Sequence, residues 1–223
     1  APMAGDLAST RTSVHAVAEH VLAAARHRAA GRIGLTVVPG GIATPPFGED
    51  GRSIGLVGTE LVVKAGDSER RAPISTLRAA GEFAGIEPGA PVDVYPPATP
   101  LELDAPLEID AEWAQRLGEW YTLGDRALSR FVSDISDDEP STITLWPEHL
   151  DVAIRAAEVN YGVSPGDEHL SEPYVYVGPD VVPSAEDGYW NQPFGAVRTW
   201  AEVASPEDAV AFFHEGRARL RSG

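Results

Sequence analysis

Apolar residues recur at intervals of three and four along several parts of the chain, which is the spacing of one face of an α-helix. Residues 9–30 carry such a stripe, and Gly31 follows as a typical C-terminal stop. A shorter helix is predicted to open at Pro73 and run through Leu77 to Phe83. A long amphipathic helix is predicted after the N-cap Asp110, and a last helix from Ser205, where acidic residues occupy the first turn. The pattern therefore predicts about four helices.

Short runs of β-branched and aromatic residues, bounded by Gly and Pro, predict strands between and after these helices. Because the strands cluster instead of alternating with helices, a parallel doubly wound sheet is disfavoured. We expect an α+β fold with a mainly antiparallel or mixed sheet of about seven to eight strands and about four helices packed mostly on one side. The predicted strands cover residues 33–38, 53–57, 60–64, 142–146, 151–156, 158–163, 174–177 and 194–200.

Six prolines lie within residues 87–106, so this segment is neither a helix nor a central strand. We interpret it as a crossover within a single α+β domain over residues 3–223. The alternative is two substructures, residues 3–86 and 107–223, joined by this segment.

The composition argues against several classes of partner and of chemistry. The chain has 34 acidic and 17 basic residues, a net charge of −17, and should repel nucleic acid and anionic membrane surfaces. It has no cysteine, which excludes disulfides and thiolate chemistry. With no long apolar run and no signal-peptide pattern, we expect a soluble, cytoplasmic protein. Ala1 and Pro2 precede the single methionine, Met3, and we expect them to be an artificial addition.

Residues 131–190 hold 13 acidic residues and one base, Arg155, a density that costs stability unless the charges are solvated or bind a cation. His149 and Asp151 lie two apart, and on a strand they would share a face. They are our candidate catalytic pair. With further acidic and imidazole groups they could also bind Zn²⁺, Mn²⁺ or Ca²⁺; the candidate metal ligands are His149, Asp151, Asp167, Glu168, His169 and Glu172. The alternative is strand-end polar residues that hydrogen-bond turns.

Aromatic and amide side chains in the same part of the chain suggest a small-ligand pocket. The candidate ligand-binding residues are Trp146, Asn160, Tyr161, Tyr174, Tyr176, Trp190 and Asn191. The alternative is that the aromatic residues are half-buried in a sheet and that the amides cap turns. The first helix carries His15, His20 and His27, whose spacing is not that of a helical metal pair, and we interpret them as part of a solvated face.

Four sequence segments carry a resemblance to known proteins. They are WPEHLD at 146–151, NYGVSPGDEH at 160–169, EPYVYVGP at 172–179 and YWNQPFGA at 189–196, and residues 31–48 add to the likeness. In these segments the chain resembles a family of uncharacterised proteins from GC-rich, actinobacterial-type bacteria. The resemblance implies no substrate, cofactor or catalytic residue, but it suggests that the segments around His149 and Asp167 are a hallmark of the family.

Three functions remain open at this point. The preferred one is binding of a small polar or cationic ligand at an acidic, aromatic C-terminal face, where cation–π contacts can contribute. The second is a hydrolase or isomerase in which His149 is the base and Asp151 orients it, with a divalent metal as an option. The third is an interaction module for a basic protein partner. The pattern predicts no other cofactor and leaves the oligomeric state open.

Overall fold

The computed structural model describes residues 6–183 and 188–222. The expectation about Ala1 and Pro2 lies outside these residues. The first helical run passes without a break from an α-helix through a π-helical segment into a second α-helix. If this run is counted as one helix, the described residues contain four helices besides a three-residue 3-10 helix, which confirms the predicted number of about four. The helices are α1 (Leu7–Val17), the π-helical segment (Ala18–Ala23), α2 (Ala24–Ala30), α3 (Leu77–Ala84), α4 (Ala111–Asp134) and α5 (Pro206–Ser222), with a short 3-10 helix at Ser136–Asp138.

The strands form two antiparallel five-stranded sheets within the described residues. One sheet has the order β1-β2-β3-β4-β5 and the other β10-β9-β8-β7-β6. The strands are β1 (Thr36–Val38), β2 (Gly41–Ala43), β3 (Ser53–Val57), β4 (Glu60–Ala65), β5 (Ser68–Pro73), β6 (Thr144–Trp146), β7 (Asp151–Ala156), β8 (Val159–Ser164), β9 (Tyr174–Pro179) and β10 (Ala196–Thr199).

The α+β class is confirmed, but the prediction of one sheet with seven to eight strands is wrong, because two strands were missed. β2 has only three residues, which is too short for an apolar alternation to show. β5, at the edge of its sheet, is mostly exposed and reads SERRAP, so no buried face marks it in the sequence. Charged side chains on an edge strand discourage pairing with other chains.

Local capping explains where the later helices begin. The Asp110 carboxylate accepts hydrogen bonds from the backbone N–H groups of Glu112 and Trp113, at 3.0 and 3.1 Å, as predicted for an N-cap. The Ser205 hydroxyl accepts one from the N–H of Asp208 at 3.2 Å. Gly31 has φ +65° at the end of α2, a left-handed conformation that glycine adopts without strain.

The chain divides into two compact units, and the division falls inside α4. Unit 1 contains the chain up to Glu119 together with Leu145–Leu150, and unit 2 contains Trp120–Thr144 and the chain from Asp151 onward. The proline-rich residues 87–106 lie within unit 1, so they are not where the division occurs. That residues 3–223 form a single domain stays a prediction.

In unit 2, small residues on the helices allow close packing against one face of the sheet. A Cβ added to Gly124 of α4 would lie 2.6 Å from Val163, and one added to Gly216 of α5 would lie 2.9 Å from Val177. The ring of Tyr161, on the same face, lies 4.7 Å from that of Phe131. In unit 1, α3 packs near β4, so each sheet has its own helices and the prediction of one sheet with helices mostly on one side is corrected.

Among the described residues, no helix combines the length and the apolar character needed to cross a bilayer.

Candidate functional site

The π-helical segment of unit 1 buries two polar residues, Glu19 and His20, which are 0% and 1% exposed. Our interpretation of His20 as part of a solvated helix face is therefore wrong. The surrounding residues 16–25 are otherwise entirely apolar, so this part of the helix is buried on all sides. A π-helical turn inserts one extra residue into an α-helix and occurs often at functional sites.

Glu19 and His20 hold the proline-rich segment. The Glu19 carboxylate accepts hydrogen bonds from the N–H groups of Ala98 and Thr99, at 2.8 and 2.9 Å, and from the Thr99 hydroxyl. His20 Nδ1 accepts the N–H of Ala90 at 3.0 Å, so its Nε2 carries the proton and donates to the Thr99 carbonyl at 3.0 Å. The two side chains thus satisfy backbone groups that the proline-rich segment cannot pair within a helix or strand.

Two buried polar atoms of unit 1 have no hydrogen-bond partner among the described residues: the hydroxyl of Tyr95 and Oε2 of Glu148. Tyr95 is 8% exposed, and its ring packs with Ala23 at the end of the π-helical segment. Burial raises the pKa of Tyr95, and the negative charges of Glu19 and Glu148 raise it further. Glu19 accepts from Thr99, four residues after Tyr95, and Glu148 directly follows Pro147, whose carbonyl accepts from His15.

His15 lies beside these groups. Its Nε2 is 2.7 Å from the carbonyl oxygen of Pro147 and 3.9 Å from Oε1 of Glu19. Burial lowers the pKa of His15, although Glu19 opposes the shift. Because a carbonyl oxygen can only accept, the Nε2–H of His15 donates to Pro147. We refer to His15, Glu19, Tyr95 and Glu148 as the Tyr95 cluster.

A second polar arrangement lies in unit 2, on the sheet face opposite Tyr161. Ser164 is in register with Tyr174 of β9, and Asp151 begins the neighbouring strand β7. The Tyr174 hydroxyl donates to Asp167 at 2.8 Å, and the Tyr176 hydroxyl donates to Asp151. We refer to Asp151, Ser164, Asp167, Tyr174 and Tyr176 as the acid–tyrosine network.

Both tyrosine hydroxyls of the acid–tyrosine network are paired with carboxylates. The Asp167 carboxylate also accepts the N–H groups of His169 and Leu170, at 2.7 and 2.8 Å. Burial disfavours its charged form, but these hydrogen bonds outweigh burial and lower the pKa of Asp167. Burial raises the pKa of Tyr176 well above its ordinary value, and the charge of Asp151 raises it further, so the phenol stays protonated and keeps donating.

The predicted catalytic pair is not formed. β6 ends at Trp146, and His149 lies in the following turn, whose Leu150 has φ +55°, so His149 and Asp151 do not share the face of one strand. The His149 side chain is exposed and makes no hydrogen bond or ion pair with the residues that the structure describes. Asp151 instead begins β7 and accepts from Tyr176. The shared strand face on which the acid–base role was based is thus absent, and the role itself stays a prediction.

The predicted metal site is not assembled either. Within residues 6–183 and 188–222, no group of three or more His, Asp or Glu side chains could hold a metal ion. Asp167 is used by its own loop, while the side chains of Glu168 and His169 are 88% and 82% exposed, and Glu172 is exposed. Three of the predicted ligands, Glu168, His169 and Glu172, thus lie exposed to solvent.

The predicted ligand-binding residues lie in several places. Tyr174 and Tyr176 come together on one face with Asn160, since alternate strand residues share a face. Tyr161 lies on the opposite face in the core, and Trp190 is buried with its ring 4.8 Å from that of Tyr189.

Asn191 and Trp146 have local roles. The Asn191 amide exchanges two hydrogen bonds with the backbone of Val197, at 2.9 and 3.1 Å, on the edge strand β10. This is the turn-capping alternative considered for the amides. Trp146 belongs to unit 1, ends β6 and is 39% exposed.

The sequence interpretation missed Glu19, Tyr95 and Glu148 as functional candidates. One signal was available: Glu19 and His20 interrupt a ten-residue run, 16–25, that is otherwise apolar, and a charged residue in such a helix needs a buried partner. For Tyr95, which lies among prolines, no local pattern indicates burial.

Comparison with protein-family models, with curated proteins and with solved structures finds no match to this chain. The relation to an actinobacterial family stays a prediction.

Proposed function

We propose that the chain binds a small polar ligand at the Tyr95 cluster of unit 1. The observation that carries this proposal is the pair of buried, unpartnered atoms, the Tyr95 hydroxyl and Oε2 of Glu148. Buried polar groups in proteins are almost always hydrogen-bonded, and an unpaired one costs about 1–3 kcal/mol. A ligand that bonds to both atoms removes this cost.

The cluster also has the rigidity that a binding site requires. Glu19 is held by three donors and His15 by the carbonyl of Pro147, so neither side chain has to reorganise when a ligand enters. Groups that are held in place before binding lose little conformational entropy on binding. His149 and Trp146, one and two residues from Glu148 in the sequence, are exposed, so this segment reaches the surface of unit 1.

The test is ligand-observed NMR with three probes of different charge: glycerol, ethylammonium and propionate. We expect at least one probe to bind the wild-type chain and to lose binding in Tyr95→Phe. Tyr174→Phe is the matched control, because it removes the same atom from a tyrosine of unit 2 whose hydroxyl is already partnered. If no probe binds, or if a crystal structure shows only a water molecule between Tyr95 and Glu148, the proposal is wrong.

A second candidate site follows from one observation in unit 2. Phe194 is 41% exposed, and its ring lies 6.3 Å from that of Tyr174, next to the acid–tyrosine network. An exposed aromatic ring beside carboxylates is suited to a cationic or polyhydroxylated ligand, as predicted for this part of the chain. If this face binds the ligand, Phe194→Ala should abolish binding of ethylammonium or glycerol and Tyr95→Phe should not.

A further inference from the structure

The charges around Tyr95 define which ligands the proposed site can accept. Glu19 is fully buried, and Oε2 of Glu148 is shielded from solvent. Among the described residues, neither carboxylate forms an ion pair with Lys or Arg; the nearest base is His15, which lies 3.9 Å from Glu19. His15 directs its Nε2–H to the carbonyl of Pro147 and not to either carboxylate. The cluster therefore holds two carboxylates, one fully and one partly buried, that no Lys or Arg of the described residues pairs.

The hydrogen-bonding capacity of the cluster restricts the ligand further. A carboxylate oxygen has lone pairs only, so Glu148 can be satisfied only by a ligand that donates N–H or O–H. The phenol oxygen of Tyr95, which has no partner among the described residues, can also accept an N–H or O–H donor. Buried charge is tolerated when an opposite charge and hydrogen bonds accompany it. A ligand group that is compact, positively charged and rich in N–H donors meets all these conditions.

We infer that the Tyr95 cluster binds the primary ammonium group of a small amine, with N–H donors directed to Glu148 Oε2 and to the Tyr95 hydroxyl oxygen. This inference rests on the proposed function and names the chemical class of its ligand. An ammonium presents three donors on one compact charge, whereas a quaternary ammonium has none and an anion would be repelled by both glutamates.

Titration calorimetry at constant ionic strength tests the inference with four probes: ethylammonium, tetramethylammonium, 1-propanol and propionate. We expect ethylammonium to bind with a Kd on the order of 1 mM, as the small size of the probe dictates. Tetramethylammonium should bind at least about tenfold more weakly, because it cannot donate a hydrogen bond to a carboxylate. The other two probes should show no heat of binding.

Two variants locate the binding. Glu148→Gln keeps the shape of the side chain and removes its charge, and we expect it to weaken ethylammonium binding about tenfold or more. Glu168→Gln makes the same change at a side chain that is 88% exposed and lies outside the cluster, and it should leave the affinity unchanged. Equal weakening by both variants would show a general effect of net charge and would overturn the inference.

The outcomes separate this inference from the proposed function. If 1-propanol or propionate binds, loses binding in Tyr95→Phe, and ethylammonium does not bind, the site exists and its assignment to amines is wrong. Equal affinity for tetramethylammonium and ethylammonium would refute the role of N–H donors. If none of the four probes binds but glycerol does and loses binding in Tyr95→Phe, only the inference fails; if glycerol does not bind either, the proposed function fails as well.

Discussion

Both units bury carboxylates beside tyrosines, and they differ in whether the tyrosine hydroxyls are partnered. In unit 2, the hydroxyls of Tyr174 and Tyr176 each donate to an aspartate, and Asp167 accepts further backbone N–H groups. In unit 1, the hydroxyl of Tyr95 has no partner among the described residues, although two glutamates lie near it. The same residue types thus hydrogen-bond to one another in unit 2, whereas in unit 1 they leave hydrogen-bonding groups that a ligand can use.

This comparison shows why residue composition alone misplaces a site. Acidic and aromatic residues are dense in residues 131–190, which is where the sequence directs attention. Several of them, however, are paired within unit 2: Asp138 with Arg217, Asp167 with Tyr174 and Asp180 with Arg155. A partnered polar group contributes to stability, and an unpartnered buried one lowers stability until something binds it. Four changes test this difference, and they follow in order of expected effect on the free energy of unfolding.

The largest effect is expected for Glu19→Ala. The change leaves the N–H groups of Ala98 and Thr99 and the Thr99 hydroxyl without their acceptor. Buried donors that lose a partner each cost about 1–3 kcal/mol, so we expect a loss of about 3–4 kcal/mol, measured by urea unfolding. Glu168→Ala, at an exposed carboxylate, should change stability by less than about 0.5 kcal/mol. A small effect of Glu19→Ala would mean that the proline-rich segment does not depend on this clamp.

The comparison itself is tested by the same substitution in both units. Tyr176→Phe removes a hydrogen bond to a carboxylate and should cost about 1.5–3 kcal/mol of unfolding free energy. Tyr95→Phe removes an unpartnered hydroxyl and should leave the ligand-free chain within about 0.5 kcal/mol of wild type, or stabilise it. Equal losses in the two variants would show that the Tyr95 hydroxyl is satisfied and that the two units do not differ.

The glycine next to Tyr176 offers a third change. Gly162 lies under the Tyr176 ring, and an added Cβ would be 2.5 Å from its ring atoms. Gly162→Ala should therefore displace the ring, break its bond to Asp151 and cost about 1–3 kcal/mol in a thermal or urea unfolding experiment. Gly178→Ala is the control in the next strand, because its nearest contact would be an ordinary 3.4 Å. If both variants unfold alike, the ring has room to move and Gly162 is not required.

Features set by neighbouring residues could be predicted from the sequence. The caps at Asp110 and Ser205 and the stop at Gly31 depend on residues within one turn, and the structure confirms them. The edge strand β5 was missed, because its exposed residues pair with β4 without burying a face. The division within α4 also has no local signal.

The site depends on contacts between residues far apart in the sequence, which explains why it was missed. Glu19 meets Thr99 across 80 positions, and His15 meets Pro147 across 132. Hydrophobic periodicity reports which face of an element is buried, but it does not report which buried polar atom finds a partner. The segment around His149 was still informative, since its neighbour Glu148 belongs to the Tyr95 cluster.

The smallest effect concerns the pH dependence of unit 1. Burial lowers the pKa of His15 below its ordinary value of 6.5. The groups facing it are Glu19, which favours the charged imidazole, the carbonyl of Pro147, and His149 and Arg11, which disfavour it. Because the unfolded chain binds this proton more readily, the contribution of His15 to stability is complete above about pH 6.5 and is lost as the pH falls through the lowered pKa.

Urea unfolding of wild type and His15→Gln between about pH 5 and pH 7.5 measures this contribution, in a range where Asp and Glu side chains remain mostly ionised. We expect the free energy of unfolding of wild type to fall more steeply toward pH 5 than that of the variant. Parallel curves would show that His15 takes up its proton equally in the folded and unfolded chains. The imidazole would then be accessible to water. Water would also reach the Tyr95 cluster, and its polar atoms would not differ from the partnered ones of unit 2.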